Sequence, residues 1–101
     1  MREHLPQRRR NENITISYQS IPVQLSFGYY DDGRVGEVFI STTKVGSTID
    51  IMARDAAVLI SILLQYGCST KMILRTLTAN EMGKPEGIAG AIVSEIIKAQ
   101  S

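Results

Sequence analysis

Two short segments combine the residue types that hold phosphate groups. In Lys44-Val45-Gly46-Ser47-Thr48 a cation, a glycine permitting close approach and two hydroxyls precede a run with helical periodicity. A helix start of this kind offers unpaired N–H groups and the positive end of the helix dipole to an anion. The second segment runs from Asn80 to Gly87 and contains Gly83-Lys84-Pro85-Glu86-Gly87, where Pro85 stiffens the turn and the glycines admit a ligand or another backbone. Asn80 and Lys84 add polar groups there. Each segment also has a plainer use. The first lacks the glycine spacing and the Lys-Ser/Thr ending of a nucleotide-triphosphate loop and serves equally as a capped helix. The second serves equally as a turn, with Gly90 packed closely against the long helix.

Arg54 and Asp55 interrupt an otherwise apolar helical run, and charges in such a stripe must be paired, solvated or placed at an interface. A structural ion pair satisfies that demand. So does an Arg54 fork aimed at an anion between subunits, because the planar guanidinium matches phosphate oxygens two at a time. The candidate ligand-binding set is therefore Lys44, Gly46, Ser47, Thr48, Arg54, Asn80, Lys84 and Gly87. Catalytic candidates are few. His4 is the only histidine and lies outside the expected folded part, Cys68 is the only cysteine, and Glu37 reads as a structural partner of nearby Arg34. No catalytic or metal-binding residue is assigned, and no cofactor is expected.

These residues have to be positioned by a small fold. A chain of 101 residues that is 44% hydrophobic and 21% charged suits one globular domain. Domains of this length bury only about 60–70% of their unfolded surface, so a subunit interface is a natural source of further stability. The net charge of +1 argues against strong nonspecific binding of nucleic acid or another polyanion by the whole surface, and no specific nucleic-acid partner is expected. Its basic residues cluster in the tail, where Arg8-Arg9-Arg10 follow Leu5-Pro6, so residues 1–11 read as a flexible basic arm and residues 12–101 as the domain. The lone cysteine excludes an internal disulfide and fits a cytoplasmic setting, and no apolar run is long enough for a membrane span.

Ile14, Ile16 and Tyr18 alternate with polar neighbours, as do Val23, Leu25, Phe27 and Tyr29, which is the period of half-buried strands joined at Gln19-Ser20. Asp31-Asp32-Gly33 turns the chain into a third strand over residues 34–43. Ser47 caps a helix from Thr48, and Asp50 closes a capping box. On that helix Ile49, Met52, Ala53, Ala56, Ile60, Leu63 and Leu64 form one stripe, and Ile51, Val58, Leu59 and Ile62 form a second. One stripe can cover the sheet, while the other needs following helices or another subunit. Gly67 ends the helix, Ser69 caps a short one from Thr70 to about Thr78, and a last amphipathic helix begins at Ile88. The fold class is α+β: a three-stranded antiparallel meander, then a long helix and two shorter ones on one sheet face.

The chain resembles the TSCPD-type domain, found toward the C-terminus of adenosylcobalamin-dependent ribonucleotide reductases and as stand-alone bacterial or phage proteins. The resemblance covers nearly the whole chain. It is carried by Leu5-Pro6-x-Arg8-Arg9, Asp32-Gly33-Arg34-Val35-Gly36-Glu37-Val38-Phe39-Ile40, Lys44-x-Gly46-Ser47, Ala53-Arg54-Asp55-Ala56-Ala57, Leu64-Gln65-Tyr66-Gly67 and Gly87-Ile88-x-Gly90. The Thr-Ser-Cys-Pro-Asp segment of the family name is absent, and with it the cysteines, so no metal or redox role is carried over. Thiyl-radical reduction needs several cysteines and a large barrel.

Two function classes follow. One is a non-catalytic homo-oligomer, a homodimer or larger, that binds a nucleotide-like or other phosphorylated ligand, as in a phage-type sponge for a nucleotide second messenger. The other is a protein-interaction domain that docks onto ribonucleotide reductase through the spare apolar helix face and the basic arm.

Overall fold

A computed structural model describes residues 1–101. Strands β1 (Asn11–Tyr18), β2 (Ile21–Tyr29) and β3 (Val35–Thr42) form one antiparallel sheet in the order β1-β2-β3. Gln19 and Ser20 both take positive φ, 49° and 66°, which gives the two-residue turn the twist of the strands it joins. The register sets Ile14 opposite Leu25, and Leu25 opposite Ile40, so these side chains share the inner face. Glu37, Phe39 and Ser41 of β3 lie on the outer face with Gln24 and Ser26 of β2.

The helices α1 (Thr48–Gln65), α2 (Thr70–Thr76) and α3 (Ile88–Gln100) follow, and α1 and α3 pack on the sheet. Val23, Leu25 and Phe27 of β2 meet Ile92, Val93 and Ile96 of α3 in one core with Ala53, Ala57, Ile60 and Leu64 of α1. Each large aliphatic or aromatic side chain buried this way contributes about 1.5–3 kcal/mol. The expected α+β order is the order observed. One stripe differs: Met52 and Leu63 stand exposed, while Ala57 takes a core position. With 3.6 residues per turn, Ala53, Ala57, Ile60 and Leu64 form the tighter face against the sheet, which rotates Met52 and Leu63 outward.

Three further local readings are revised. Gly90 packs against its own loop, since a Cβ there would lie 2.5 Å from Pro85 Cβ, and no α1 atom is among its nearest neighbours. Glu37 pairs with Arg9 at 3.5 Å, because Arg34 is taken by Asp32 and Glu3. The first ten residues have no strand or helix but are tied to the domain: Glu3 N–H donates to Gln65 O, and Tyr30 Oη donates to Glu3 O at 2.6 Å. Arg10 stacks over the Tyr29 ring at 3.9 Å. Gly36 makes room for this segment, because a Cβ would lie 2.6 Å from the Tyr30 ring and 2.7 Å from Leu5.

β3 is an edge strand, and α1 seals part of that edge. Ser61 Oγ accepts from Val38 N–H at 2.9 Å and donates to Ala57 O at 2.8 Å, and Gln65 Nε2 donates to Gly36 O at 2.9 Å. Pairing of another strand there is blocked by side chains of the same chain.

Candidate functional site

Ser47 caps α1 as expected, its Oγ accepting from Asp50 N–H at 3.3 Å and donating to Lys44 O at 2.7 Å. The capping box itself is not formed. Ser47 N–H donates to Lys44 O, and the Asp50 carboxylate reaches past it to accept from Gly46 N–H at 3.0 Å and from Thr42 Oγ1 at 3.0 Å. Gly46 adopts φ 81°, which turns its N–H toward that carboxylate. Asp50 is 2% exposed. The Gly46 bond, aided by Thr42 and Arg54, holds its carboxyl below the usual range against the opposing effect of burial. The chain thus sets its own carboxylate beside the start of α1, bonded to Gly46 N–H, while the N–H groups of Thr48 and Ile49 have no protein acceptor.

The second segment is likewise occupied with its own loop. Asn80 Oδ1 accepts from Met82 N–H at 2.9 Å and from Lys84 N–H at 3.0 Å, and Asn80 N–H donates to Lys84 O at 2.8 Å. Gly87 caps α3 through its backbone alone. Tyr18 Oη donates to Glu86 O at 2.9 Å, which sets this loop at the β1–β2 hairpin, the end of the sheet where β3 also finishes and α1 begins. The two helix starts therefore share one end of the fold. No hydrogen bond joins them, and Lys44 and Lys84 are exposed without ion pairs.

Arg54 stands apart from the other seven. Its Nε meets Asp50 Oδ2 at 3.3 Å, and its terminal nitrogens hold no protein acceptor. It lines a depression of about 490 Å³ between β3 and α1, together with Arg2, Glu37, Phe39, Val58, Ser61 and Gln65. Arg2 is held in the same manner, with Nε donating to Gln65 Oε1 and its terminal nitrogens unpartnered. Gln65 in turn is buried and fixed to Gly36 O. Arg54 and Gln65 are eleven residues apart on α1, so the two guanidinium anchors are spaced about 16 Å along the helix axis. Between them lie Phe39, Val58 and Ser61. Glu37, the one carboxylate in the lining, is neutralised by Arg9.

Arg2, Gln65, Ser61 and Phe39 were not among the sequence candidates. Gln65 carried a signal, as the uncharged polar residue closing an apolar helix and part of Leu64-Gln65-Tyr66-Gly67. Arg2 carried none, because its place depends on how the first residues cross the domain.

A second depression, about 410 Å³, lies on the outer sheet face and is lined by uncharged side chains such as Asn13, Thr15, Gln24 and Ser41. No group of three or more His, Cys, Asp or Glu side chains is arranged to hold a metal ion, and no helix is long and apolar enough to cross a membrane.

A three-stranded meander with α1 and α3 on one face, and two tethered arginines over the β3–α1 junction, define a small α+β module. The chain belongs to the TSCPD domain family, whose model matches residues 2–99. It is 33% identical over 87 residues to the vitamin B12-dependent ribonucleotide reductase of Agrobacterium fabrum, covering 86% of this chain and 7% of that protein. It is 38% identical over 66 residues to that of Bradyrhizobium diazoefficiens, covering 65% of this chain and 5% of that protein. For the Rhodopirellula baltica reductase the identity is 37% over 73 residues, covering 72% and 7%. The chain thus spans only 5–7% of the length of these curated relatives. No solved structure matches it significantly.

Proposed function

We propose that this chain is a non-catalytic module that binds a nucleotide-like or other phosphorylated ligand in the depression between β3 and α1. The observation that carries this reading is the pair of guanidinium groups, Arg54 and Arg2, each fixed through Nε with its remaining nitrogens unpartnered. A fork held in this way loses less freedom when it captures phosphate oxygens. The apolar floor offered by Phe39 and Val58 suits a base, and the Ser61 hydroxyl and Gln65 amide border it. A ligand with anionic groups at both ends and a ring system between them fits this layout. The helix starts at Lys44–Thr48 and Gly87 are secondary to this site, because the Asp50 carboxylate sets a negative charge beside the first and Asn80 is committed to its own loop. Binding without turnover is the behaviour of a sponge for a nucleotide messenger.

Calorimetric titration with nucleoside mono-, di- and triphosphates, ADP-ribose and cyclic dinucleotides tests this. The expected result is saturable binding of at least one class, recovery of that nucleotide unchanged, and loss of binding in Arg54→Ala. Absence of heat and of any melting shift at millimolar nucleotide overturns it.

A second reading, an accessory domain that docks onto a ribonucleotide reductase, draws on the relatives and on the exposed apolar side of α1. Capture of a reductase that requires Ile51 and Val58 but not Arg54 favours it.

A further inference from the structure

The side of α1 turned away from the core is almost entirely apolar and uncovered. Ile51, Met52, Val58, Leu59, Ile62 and Tyr66 are each 36–62% exposed, and neighbouring Leu63 and Phe39 of β3 fall in the same range. Together these eight side chains present on the order of 800 Å² of accessible surface, the share one partner gives to a standard-size protein interface. A patch of that size exceeds what monomers ordinarily leave in water.

The pattern on this face is that of a helix seam. Met52, Leu59 and Tyr66 recur every seven residues, with Asp55 and Ile62 between them, also seven apart. Asp55 is the one carboxylate within the stripe and makes no ion pair in its own chain, and the Tyr66 hydroxyl makes no hydrogen bond there. An antiparallel pair of α1 helices about a two-fold axis, with Leu59 opposite the partner's Ile62, sets Asp55 opposite the partner's Tyr66. The phenol then donates to the carboxylate, and symmetry makes that bond twice. One register therefore buries the apolar stripe and satisfies both polar groups on it.

We propose that this face binds a second copy of the chain through such an antiparallel α1 pair. Strand pairing along β3 is a poor alternative route to a dimer, because Ser61 and Gln65 cap that edge. Val58 and Ile62 belong both to the seam and to the lining of the Arg54 depression. A second copy seated on the seam walls the depression on its open side and converts it into a cleft between subunits. This closing of the cleft rests on the ligand reading given above, whereas the pairing of helices does not.

Sedimentation velocity of the full chain over micromolar to hundred-micromolar concentrations tests the pairing without any ligand. The expected species is a dimer, converted to a monomer by Leu59→Glu and by Ile62→Glu. Both positions are exposed within one copy, so the helical circular dichroism of each variant should be retained. Tyr66→Phe leaves the apolar area intact and is expected to weaken the dimer at least about tenfold, because it removes two hydrogen bonds to a charged group. Asp55→Asn is expected to weaken it too, and to add little when combined with Tyr66→Phe. A monomer at every concentration overturns the proposal, as does a dimer indifferent to Leu59→Glu, or a monomer that binds a reductase through this face. Absence of nucleotide binding by the unaltered chain, with the dimer retained, contradicts the ligand reading alone.

Discussion

Replacing Ser61 by alanine isolates the contact that joins α1 to the edge of β3. The hydroxyl has one proton and two acceptor positions, and Ala57 O at 2.8 Å takes the proton in preference to Val38 O at 3.3 Å. Ser61 is thereby left as the acceptor for Val38 N–H at 2.9 Å. In Ser61→Ala, Ala57 O keeps its helical partner and loses little, but Val38 N–H loses the only acceptor facing it. A buried donor left unpaired costs about 1–3 kcal/mol. The adjoining depression gives water a route to that N–H, which places the expected loss at the lower end, about 1–2 kcal/mol. For a domain of this size each 1 kcal/mol lowers the melting temperature by about 4–8 °C. Thermal melting and urea unfolding at pH 7 measure the loss, and amide hydrogen exchange reads the site itself. Val38 N–H is expected to lose protection beyond the global change, whereas Ser61→Thr, which retains the oxygen, keeps it. A loss below about 0.5 kcal/mol with Val38 exchange unchanged would refute the claim that α1 seals this edge.

Three other outcomes follow from the same geometry. Asp50 has a lower pKa folded than unfolded, so its stabilisation is fully present above the ordinary carboxylate value near 4 and is lost as the pH falls through the lower folded value. Melting temperature followed from pH 6 down to 2 should fall less steeply in Asp50→Asn than in the unaltered chain, and parallel curves would contradict this. Gly36→Ala forces a methyl against the Tyr30 ring and Leu5 and is expected to cost about 1–3 kcal/mol, with faster proteolysis of the first ten residues; unchanged melting and proteolysis would count against their docking. Ser47→Ala removes the acceptor for Asp50 N–H and should cost about 1 kcal/mol in chemical unfolding, while a neutral result would assign the capping to other groups.

What was legible in the sequence is what short-range physics dictates. Gln19-Ser20, Ser47 and Ser69 announce a hairpin and two helix starts because turn and cap chemistry acts over a few residues. Alternation over Ile14 to Tyr29 gave the strands and their inner face for the same reason. Arg54 was legible as a charge out of place on an apolar helix. The remainder of the site depends on which segments come together in space. Asp50 looked like a capping-box acid, but a carboxylate near Gly46, Thr42 and Arg54 finds stronger donors than one backbone N–H. The arginines of the first ten residues looked solvated because Glu37, Tyr29 and Gln65, which hold Arg9, Arg10 and Arg2, are distant in sequence. Ser61 and Gln65 looked like ordinary polar helix positions until the edge of β3 lay beside them.

The most direct test of the central claim is amide-shift mapping of the full ¹⁵N-labelled chain on adding ADP and, separately, a cyclic dinucleotide at millimolar concentration. The expected shifts centre on Phe39, Arg54, Ser61 and Gln65, around the two tethered guanidinium groups, and vanish in Arg54→Ala. Shifts confined to Thr48, Ile49 and Gly87, or none with either probe, would contradict the account.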